Sequence, residues 1–422
     1  MGFRRAIVLA GGGSRGAYQI GVWQALRELG IDYQIVTGTS VGALNGAMFV
    51  QGDYEAARQM WLRLTAQDVA NVDLSGAQDA PDPARAVYAG FLRQAVAGGG
   101  VDISGLESIM RAVIDVDRFY ASPVDFGLVT VEYPTLRPVT LCKKDIPGEK
   151  LCDYLIASAS CFPAFPTKLI DGVQFIDGGY HDNLPVNLAA ELQADEVIAV
   201  DLESVGVRRR VKDEALPVTL IRPEHPLGPF LLFEPDSAGR NMALGYLDAL
   251  RAFKKAEGGF LSFLPGEPRR LLEEAMPVLE QAESWLEERM MNLLPLRRRE
   301  KGEERFLQAI QQLGQWYELD VTVLYTAHSF CYELLLRFNA QEIEPAAGIA
   351  EVFSRSGTAL QLAQQLSEFG HRQLCEFVYS RLRDYALGSG EKRELARIAA
   401  VLQNETAAAM LVFALKKVLA EP

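Results

Sequence analysis

The sequence predicts a three-layer α/β/α domain with a mainly parallel central sheet, followed by an all-α domain. Over residues 1–264, short apolar runs typical of buried strands alternate with segments of helical periodicity. Over residues 265–422, apolar residues recur at helical spacing instead. The composition, 49% hydrophobic and 23% charged, is typical of a globular protein. The length of 422 residues suggests two domains.

Seven short apolar runs are interpreted as strands of the central sheet. They are bounded by glycine, proline or polar residues. Apolar strands separated by helices are typical of parallel sheets that are covered on both faces. The runs are Ala6–Leu9, Gln34–Thr37, Phe126–Val131, Pro138–Cys142, Val173–Ile176, Val197–Val200 and Val218–Ile221.

Two helices are predicted beside the first strands. Arg15–Leu29 carries apolar residues near helical spacing and ends at Gly30. Val41–Val50 consists of small and apolar residues, which suit close packing under a sheet. Residues 66–100 are richer in Asp, Gly and Ala, and we interpret them as a loop-and-helix insertion that is a candidate lid.

The C-terminal part is predicted to consist of amphipathic helices. From Leu272 to Leu293 the apolar residues share one helical face, with Pro277 within it. The candidate junction between the domains is residues 261–269. The apolar stripes must be buried against something, so an oligomer or a protein partner is an alternative to packing within the chain. Similar patterns cover residues 306–316, 322–338, 359–369 and 395–419.

Charge and cysteine content limit the classes of partner. The net charge of −13 at pH 7 argues against nucleic acid and against general attraction to anionic membranes. Arg208–Arg210 and Arg297–Arg299 are candidates for headgroup contact, although solvated charge is the commoner explanation. Five scattered cysteines without a CxxC pair favour a reducing compartment over disulfides or zinc. Because no apolar run reaches the ~18 residues of a membrane span, we expect a cytoplasmic protein with at most peripheral membrane contact.

The pattern Gly38-Thr39-Ser40-Val41-Gly42 lies between a predicted strand and a predicted helix. A serine on such an elbow occupies a tight turn, where flanking glycines avoid steric clashes. Its hydroxyl then faces a helix N-terminus, which favours developing negative charge. We therefore predict that Ser40 is a nucleophile, with Gly38 and Gly42 forming the elbow.

A glycine loop, Gly11-Gly12-Gly13-Ser14-Arg15-Gly16, also joins a strand to a helix. Backbone N–H groups at such a turn can hold an oxyanion. The loop also matches the G-x-G-x-x-G fingerprint of dinucleotide sites. That fingerprint requires an acidic residue after the second strand, whereas Asp32 precedes it, so a nucleotide site is disfavoured. An ordinary tight turn is the third alternative.

Asp177-Gly178-Gly179 follows another predicted strand. An aspartate at a strand end, followed by two glycines, can project into a cleft and act as the base for a serine hydroxyl. An isolated Asp-Gly-Gly is more often an ordinary turn. The three motifs together are more specific, since they supply a nucleophile, oxyanion donors and a base at strand ends.

Together these motifs resemble those of patatin-like phospholipases. The resemblance covers about residues 5–255 and does not extend to the C-terminal helices. The matching segments are residues 11–17, residues 38–46, residues 157–160 with Pro163, Phe165 and Pro166, and residues 177–179 with Asn183 and Pro185.

The resemblance implies a patatin-like fold and a serine acyl hydrolase that needs no metal or other cofactor. Ser40 would attack the ester of a phospholipid, lysophospholipid or acylglycerol, and Asp177 would accept its proton. The amides of Gly12, Gly13 and Val41 would be the oxyanion donors, and Arg15 would help to hold the loop. The residues assigned to the oxyanion hole are Gly11, Gly12, Gly13, Arg15, Gly16 and Val41.

Three alternatives to this reading stay open. His181, four residues past Asp177, is the candidate for a histidine-dependent mechanism. A nucleotide-dependent oxidoreductase would use the glycine loop at residues 11–16. A non-catalytic lipid-binding scaffold would retain the motifs without turnover.

Overall fold

The computed structural model describes residues 2–69, 101–285, 299–338, 346–354 and 359–420. The chain divides into two compact units, Met1–Phe253 and Lys254–Pro422. This division precedes the boundary placed at residue 264 from the sequence, because Leu261 and Phe263 belong to the core of the second unit.

The first unit contains a sheet of eight strands that is mainly parallel. The strands are β1 (Arg5–Leu9), β2 (Ile35–Thr39), β3 (Asp125–Tyr133), β4 (Pro138–Cys142), β5 (Lys168–Ile170), β6 (Val173–Asp177), β7 (Glu196–Val200) and β8 (Val218–Ile221). Their spatial order is β5-β6-β3-β2-β1-β7-β8, with β4 beside β3. β1, β2, β3, β7 and β8 are parallel, whereas β4, β5 and β6 form antiparallel pairs at one side. All seven predicted strands are present, and β5 is an addition.

Nine helices of the first unit fall within the described residues. They are α1 (Ala17–Glu28), α2 (Val41–Gln51), α3 (Tyr54–Trp61), α4 (Ala66–Val69), α5 (Ser104–Val113), α6 (Val116–Ala121), α7 (Leu151–Ser158), α8 (Val186–Glu191) and α9 (Pro235–Ala252). The two predicted helices correspond to α1, which a 3₁₀ turn at Gly13–Gly16 precedes, and to α2. The predicted lid is described only over α4, since residues 70–100 lie outside the described ranges.

Helices cover both faces of the sheet. Val36 of β2 and Phe126 of β3 are paired, and a Cβ added to Gly46 of α2 would lie 3.2 and 3.1 Å from their side chains. Gly127, the next residue of β3, must face the other side. A Cβ there would lie 2.9 Å from the side chain of Leu188 in α8. The predicted three-layer α/β/α arrangement is therefore confirmed.

The carboxyl ends of β2 and β6 meet on one edge of β3. β4 pairs along the middle of β3, whereas β2 pairs with its first part and β6 with its last part. The part of β3 that pairs with β4 includes residues that also pair with β2 and residues that also pair with β6. Both β2 and β6 must therefore lie along the edge of β3 opposite β4. β2 is parallel and β6 antiparallel to β3, so they approach each other end to end. Thr39 pairs with Val129, and Asp177 pairs with the next residue, Thr130.

The second unit consists mainly of helices, with one small sheet. The helices are α10 (Glu267–Ser284), α11 (Arg299–Trp316), α12 (Ala327–Arg337), α13 (Ala346–Ser354), α14 (Ala359–Leu366), α15 (His371–Ala386), α16 (Lys392–Val401) and α17 (Gln403–Ala420). Three two-residue strands, β9 (Glu257–Gly258), β10 (Ser262–Phe263) and β11 (Leu324–Tyr325), accompany them. The helical pattern did not predict these strands, of which β9 and β10 form a local antiparallel pair and β10 and β11 a non-local parallel pair. Pro277 lies inside α10.

No helix in the described ranges is long and apolar enough to cross a membrane. Of the basic run at residues 297–299, only the backbone of Arg299 lies within those ranges, as the first residue of α11.

Candidate active site

Ser40 occupies a strained turn between β2 and α2. Its φ of 56° and ψ of −129° are uncommon for a residue with a side chain. A Cβ on Gly38 would lie 2.1 Å from the carbonyl oxygen of Gly42, and one on Gly42 would lie 2.2 Å from that of Leu9. Only glycine fits at either position, so both residues flanking the turn are restricted by the backbone around them.

Asp177 lies at the end of β6, and its carboxylate is hydrogen-bonded to the Ser40 hydroxyl. Its Oδ1 also accepts from the N–H of Gly179 at 2.7 Å. Burial raises the pKa of Asp177 to about 6, and the two hydrogen bonds oppose this increase because they favour the ionised form. The neighbouring Gly178 packs against β3, where a Cβ would lie 2.1 Å from the carbonyl oxygen of Val129.

This carboxylate is suited to general-base chemistry. With a pKa of about 6, Asp177 is ionised at neutral pH and is a stronger base than an ordinary aspartate. Its hydrogen-bond partner on the cavity side is the Ser40 side chain.

Two amides of the glycine loop are available beside Ser40. Gly11 and Ser14 donate their own N–H groups to carbonyls outside the loop, at 3.1 and 2.8 Å. Gly12 and Gly13 line the cavity that contains Ser40, and their N–H groups have no acceptor in the described part of the chain. Val41 also lines this cavity as the first residue of α2, where the N–H has no partner within the helix. These three amides can serve an anion together.

Arg15 is not among the described residues that line the cavity. Its guanidinium donates to the carbonyl oxygens of Leu202, Glu203 and Gly228 at 3.2, 2.9 and 2.8 Å. Burial lowers its pKa, and the charge of Glu203 opposes this. Arg15 therefore ties the glycine loop to two neighbouring segments. Its position fits loop support and not direct oxyanion contact.

A buried polar network, which the motifs did not indicate, supports the same loop. The Asn45 amide donates to the carbonyl oxygen of Gly16 at 2.9 Å and to Gln19 Oε1 at 2.8 Å. Gln19 in turn donates to the carbonyl oxygen of Ala10 at 2.8 Å, and Trp61 Nε1 donates to Asn45 Oδ1 at 3.0 Å. Gly16 thus contributes through its carbonyl group. Asn45 lies within the matching segment 38–46, but its partners are distant in sequence.

Ser40 and Asp177 open into a largely apolar cavity of about 580 Å³. This volume is typical of small-molecule sites. Cys161 lines it close to Asp177, and burial followed by that charge raises the pKa of its thiol to about 12, so the thiol stays protonated. The apolar wall includes Val41, Leu44, Met60, Trp61, Leu64, Leu106, Ile109, Met110, Phe165, Phe230, Leu231 and Phe233.

The imidazole of His181 contacts an arginine outside the dyad. Its Nδ1 is 2.9 Å from the guanidinium of Arg209, which also donates to its backbone carbonyl at 2.9 Å. Burial, followed by the Arg209 charge, lowers its pKa. His181 is not among the described cavity-lining residues. This geometry gives no support to a histidine base.

The nucleotide-binding alternative also lacks a matching arrangement. Asp32, the acidic residue considered for a nucleotide ribose, is exposed and lies before β2, while β2 itself ends at the Ser40 elbow. Among the described residues, no group of three or more His, Cys, Asp or Glu side chains is placed to hold a metal ion.

The family model for patatin-like phospholipases matches residues 7–190. The chain is 27% identical over 202 residues to patatin-like phospholipase domain-containing protein 7 of Rattus norvegicus, covering 47% of this chain and 14% of that protein. It is 28% identical over 204 residues to lysophospholipase nte1 of Aspergillus terreus, covering 47% of this chain and 12% of that protein. The chain thus spans only about one-seventh of the length of these relatives.

Among solved structures, VipD from Legionella pneumophila is similar with a TM-score of 0.41 and 12% identity, over 96% of this chain and 91% of that one. The matched residues 7–190 contain the glycine loop, the Ser40 elbow and Asp177. Residues 7–190 of this chain are therefore similar to patatin-like phospholipases.

Proposed function

We propose that this protein is a serine acyl hydrolase that cleaves ester bonds of lipids through a Ser40–Asp177 dyad. The observation that carries the proposal is that Ser40, in its strained turn, and the buried Asp177 carboxylate line the same cavity, where a side-chain hydrogen bond from Ser40 favours the ionised carboxylate. The family match and the apolar cavity support a lipid ester as the substrate class.

The proposed reaction has two halves. Ser40 Oγ attacks the ester carbonyl while its proton passes to the Asp177 carboxylate. The amides of Gly12, Gly13 and Val41 donate hydrogen bonds to the oxyanion of the tetrahedral intermediate. As the intermediate collapses, Asp177 returns the proton to the leaving alcohol and an acyl-Ser40 ester is left.

Water completes the cycle in the second half. Asp177 takes a proton from a water molecule, which attacks the acyl carbonyl and forms a second oxyanion at the same amides. When the carbon–oxygen bond to Ser40 breaks, Asp177 delivers the proton to the serine oxygen. The products are the fatty acid and the regenerated dyad, so no external proton donor is consumed.

The rim of the cavity supports access from a lipid surface. Val205 is 96% exposed, and Tyr180 and Val207 are 50% and 42% exposed, although all three line the cavity. The adjacent arginines have partners within the chain, since Arg208 pairs with Asp201 at 2.9 Å and Arg210 pairs with Glu214. We therefore propose peripheral docking through exposed apolar side chains and not through the basic run.

An activity-based probe tests the proposed function. A fluorophosphonate carrying an alkyl chain should label the wild-type protein, and peptide mapping should locate the label on Ser40. The Ser40→Ala variant should neither be labelled nor hydrolyse p-nitrophenyl esters or lysophospholipids. Hydrolysis that survives Ser40→Ala, or a label on another residue, would refute the proposal.

A further inference from the structure

The segment 157–160 carries part of the family resemblance, but the dyad leaves it without a role. Within it, Ser158 is the last residue of α7 and is completely buried. Its hydroxyl accepts a hydrogen bond from the backbone N–H of Ser40 at 3.0 Å and donates one to the carbonyl oxygen of Val129 at 2.7 Å. Ser158 therefore contacts the backbone of the nucleophile directly.

The position of this hydroxyl has a structural reason. Thr39 and Val129 form the last pair of the β2–β3 ladder, because the chain leaves the strand at the Ser40 turn. Beyond that pair, the Ser40 N–H and the Val129 carbonyl group each need a partner away from water. The Ser158 hydroxyl serves both groups at once, acting as donor to one and acceptor to the other.

We infer that Ser158 is a positioning residue. Its hydroxyl links the Ser40 elbow to β3 and thereby keeps the Ser40 Oγ next to the Asp177 carboxylate. This inference rests on the proposed function. The link matters because Asp177 is itself fixed to β3, where it pairs with Thr130, the residue after Val129. The Ser158 bridge thus fixes the nucleophile and the base to adjacent residues of one strand.

The strain at Ser40 increases the importance of this link. A residue at a φ of 56° relaxes toward ordinary backbone angles unless its surroundings hold it. Steric contacts at Gly38 and Gly42 restrict the turn from two sides, but they do not bond to Ser40 itself. The Ser158 hydroxyl is bonded to the Ser40 amide, so its loss should shift the Oγ with little effect on the distant walls of the cavity.

The test compares Ser158→Ala with the matched control Ser160→Ala. Ser160 is equally buried, and its hydroxyl donates to the carbonyl oxygen of Ile156 at 2.9 Å. Both variants lose one buried serine hydroxyl that bonds to a backbone carbonyl, but only Ser158→Ala loses a bond to Ser40. We expect Ser158→Ala to lower kcat and the rate of fluorophosphonate labelling on the order of tenfold to a hundredfold, with KM almost unchanged. Ser160→Ala should retain both rates. Thermal unfolding of the two variants measures the loss of stability that each suffers when its buried hydroxyl is removed.

A graded variant keeps the test decisive if Ser158→Ala does not fold. Cysteine offers a weaker donor and acceptor, so Ser158→Cys should label at a rate below that of the wild type. Equal labelling rates for Ser158→Ala and Ser160→Ala, or for Ser158→Cys and the wild type, would overturn the positioning role. A wild type that is neither labelled nor active on any ester would refute the proposed function itself. An active wild type with an equally active Ser158→Ala would refute only the positioning role.

Discussion

Replacing Asp177 by asparagine should change activity and stability in opposite directions. The pKa of Asp177 rises from 3.8 to about 6 on folding because burial disfavours the charged carboxylate. That rise means that ionising Asp177 costs the folded state up to ~3 kcal/mol relative to the unfolded chain. Asparagine has a similar size, carries no charge and retains an oxygen that can accept from the Gly179 amide.

The pH dependence of this difference follows from the direction of the pKa shift. Below pH 3.8 the carboxyl is protonated in both states, so the wild type and Asp177→Asn should differ little in unfolding free energy. The advantage of the variant should develop as the pH rises from 3.8 to about 6 and stay constant above that. Burial also raises the pKa of Asp182 to about 6, but both proteins retain Asp182, so its contribution cancels.

Denaturant unfolding of both proteins between pH 4 and pH 8, beside the pH–rate profile of the wild type, is the assay. Hydrolysis by the wild type should fall as the pH drops through about 6, because the base becomes protonated. Asp177→Asn should be inactive throughout and more stable near neutral pH. A variant that is less stable at neutral pH, or a stability difference that does not vary with pH, would refute the reasoning from burial.

Three further predictions can be checked separately. His181→Ala should retain most of the esterase activity in steady-state assays, because the imidazole contacts Arg209 and is not among the described residues that line the cavity. Gly42→Ala should lose activity and destabilise the fold by roughly 1–3 kcal/mol or more in denaturant unfolding, since its Cβ would lie 2.2 Å from the carbonyl oxygen of Leu9. The control Gly239→Ala, whose Cβ would meet only a leucine methyl at 3.7 Å, should be tolerated. In sedimentation with neutral phosphatidylcholine vesicles, Val205→Asp should reduce binding, and added salt should have little effect on the wild type; strong salt dependence would favour the basic run.

Local features of the site could be predicted from sequence because each depends on a few adjacent residues. The strand before Ser40, the small-residue helix after it and the two glycines form one continuous segment. The same holds for β6 and the Asp-Gly-Gly that ends it. Short apolar runs bounded by turn residues also located the other five predicted strands.

Features that depend on distant contacts could not be predicted in the same way. The hydrogen bonds of Asn45 join three segments of the first unit, and the bond between Ser158 and Ser40 spans 118 residues. No periodicity marks a side chain for such a contact, because its partners lie far away in the sequence and their positions depend on the whole fold. Short strands such as β9 and β10 are missed for a related reason, since two residues carry no alternation to detect.

The topology of β3 explains how two distant motifs produce one reactive pair. In a fully parallel sheet, a strand beside β2 would place its carboxyl end next to that of β2, one strand spacing away. Here β6 is antiparallel and occupies the same edge of β3 as β2, so the two carboxyl ends converge along a single line. Ser40 and Asp177 then come within hydrogen-bond distance without a third side chain between them. This direct contact gives a physical reason for proposing a dyad and for expecting His181→Ala to remain active.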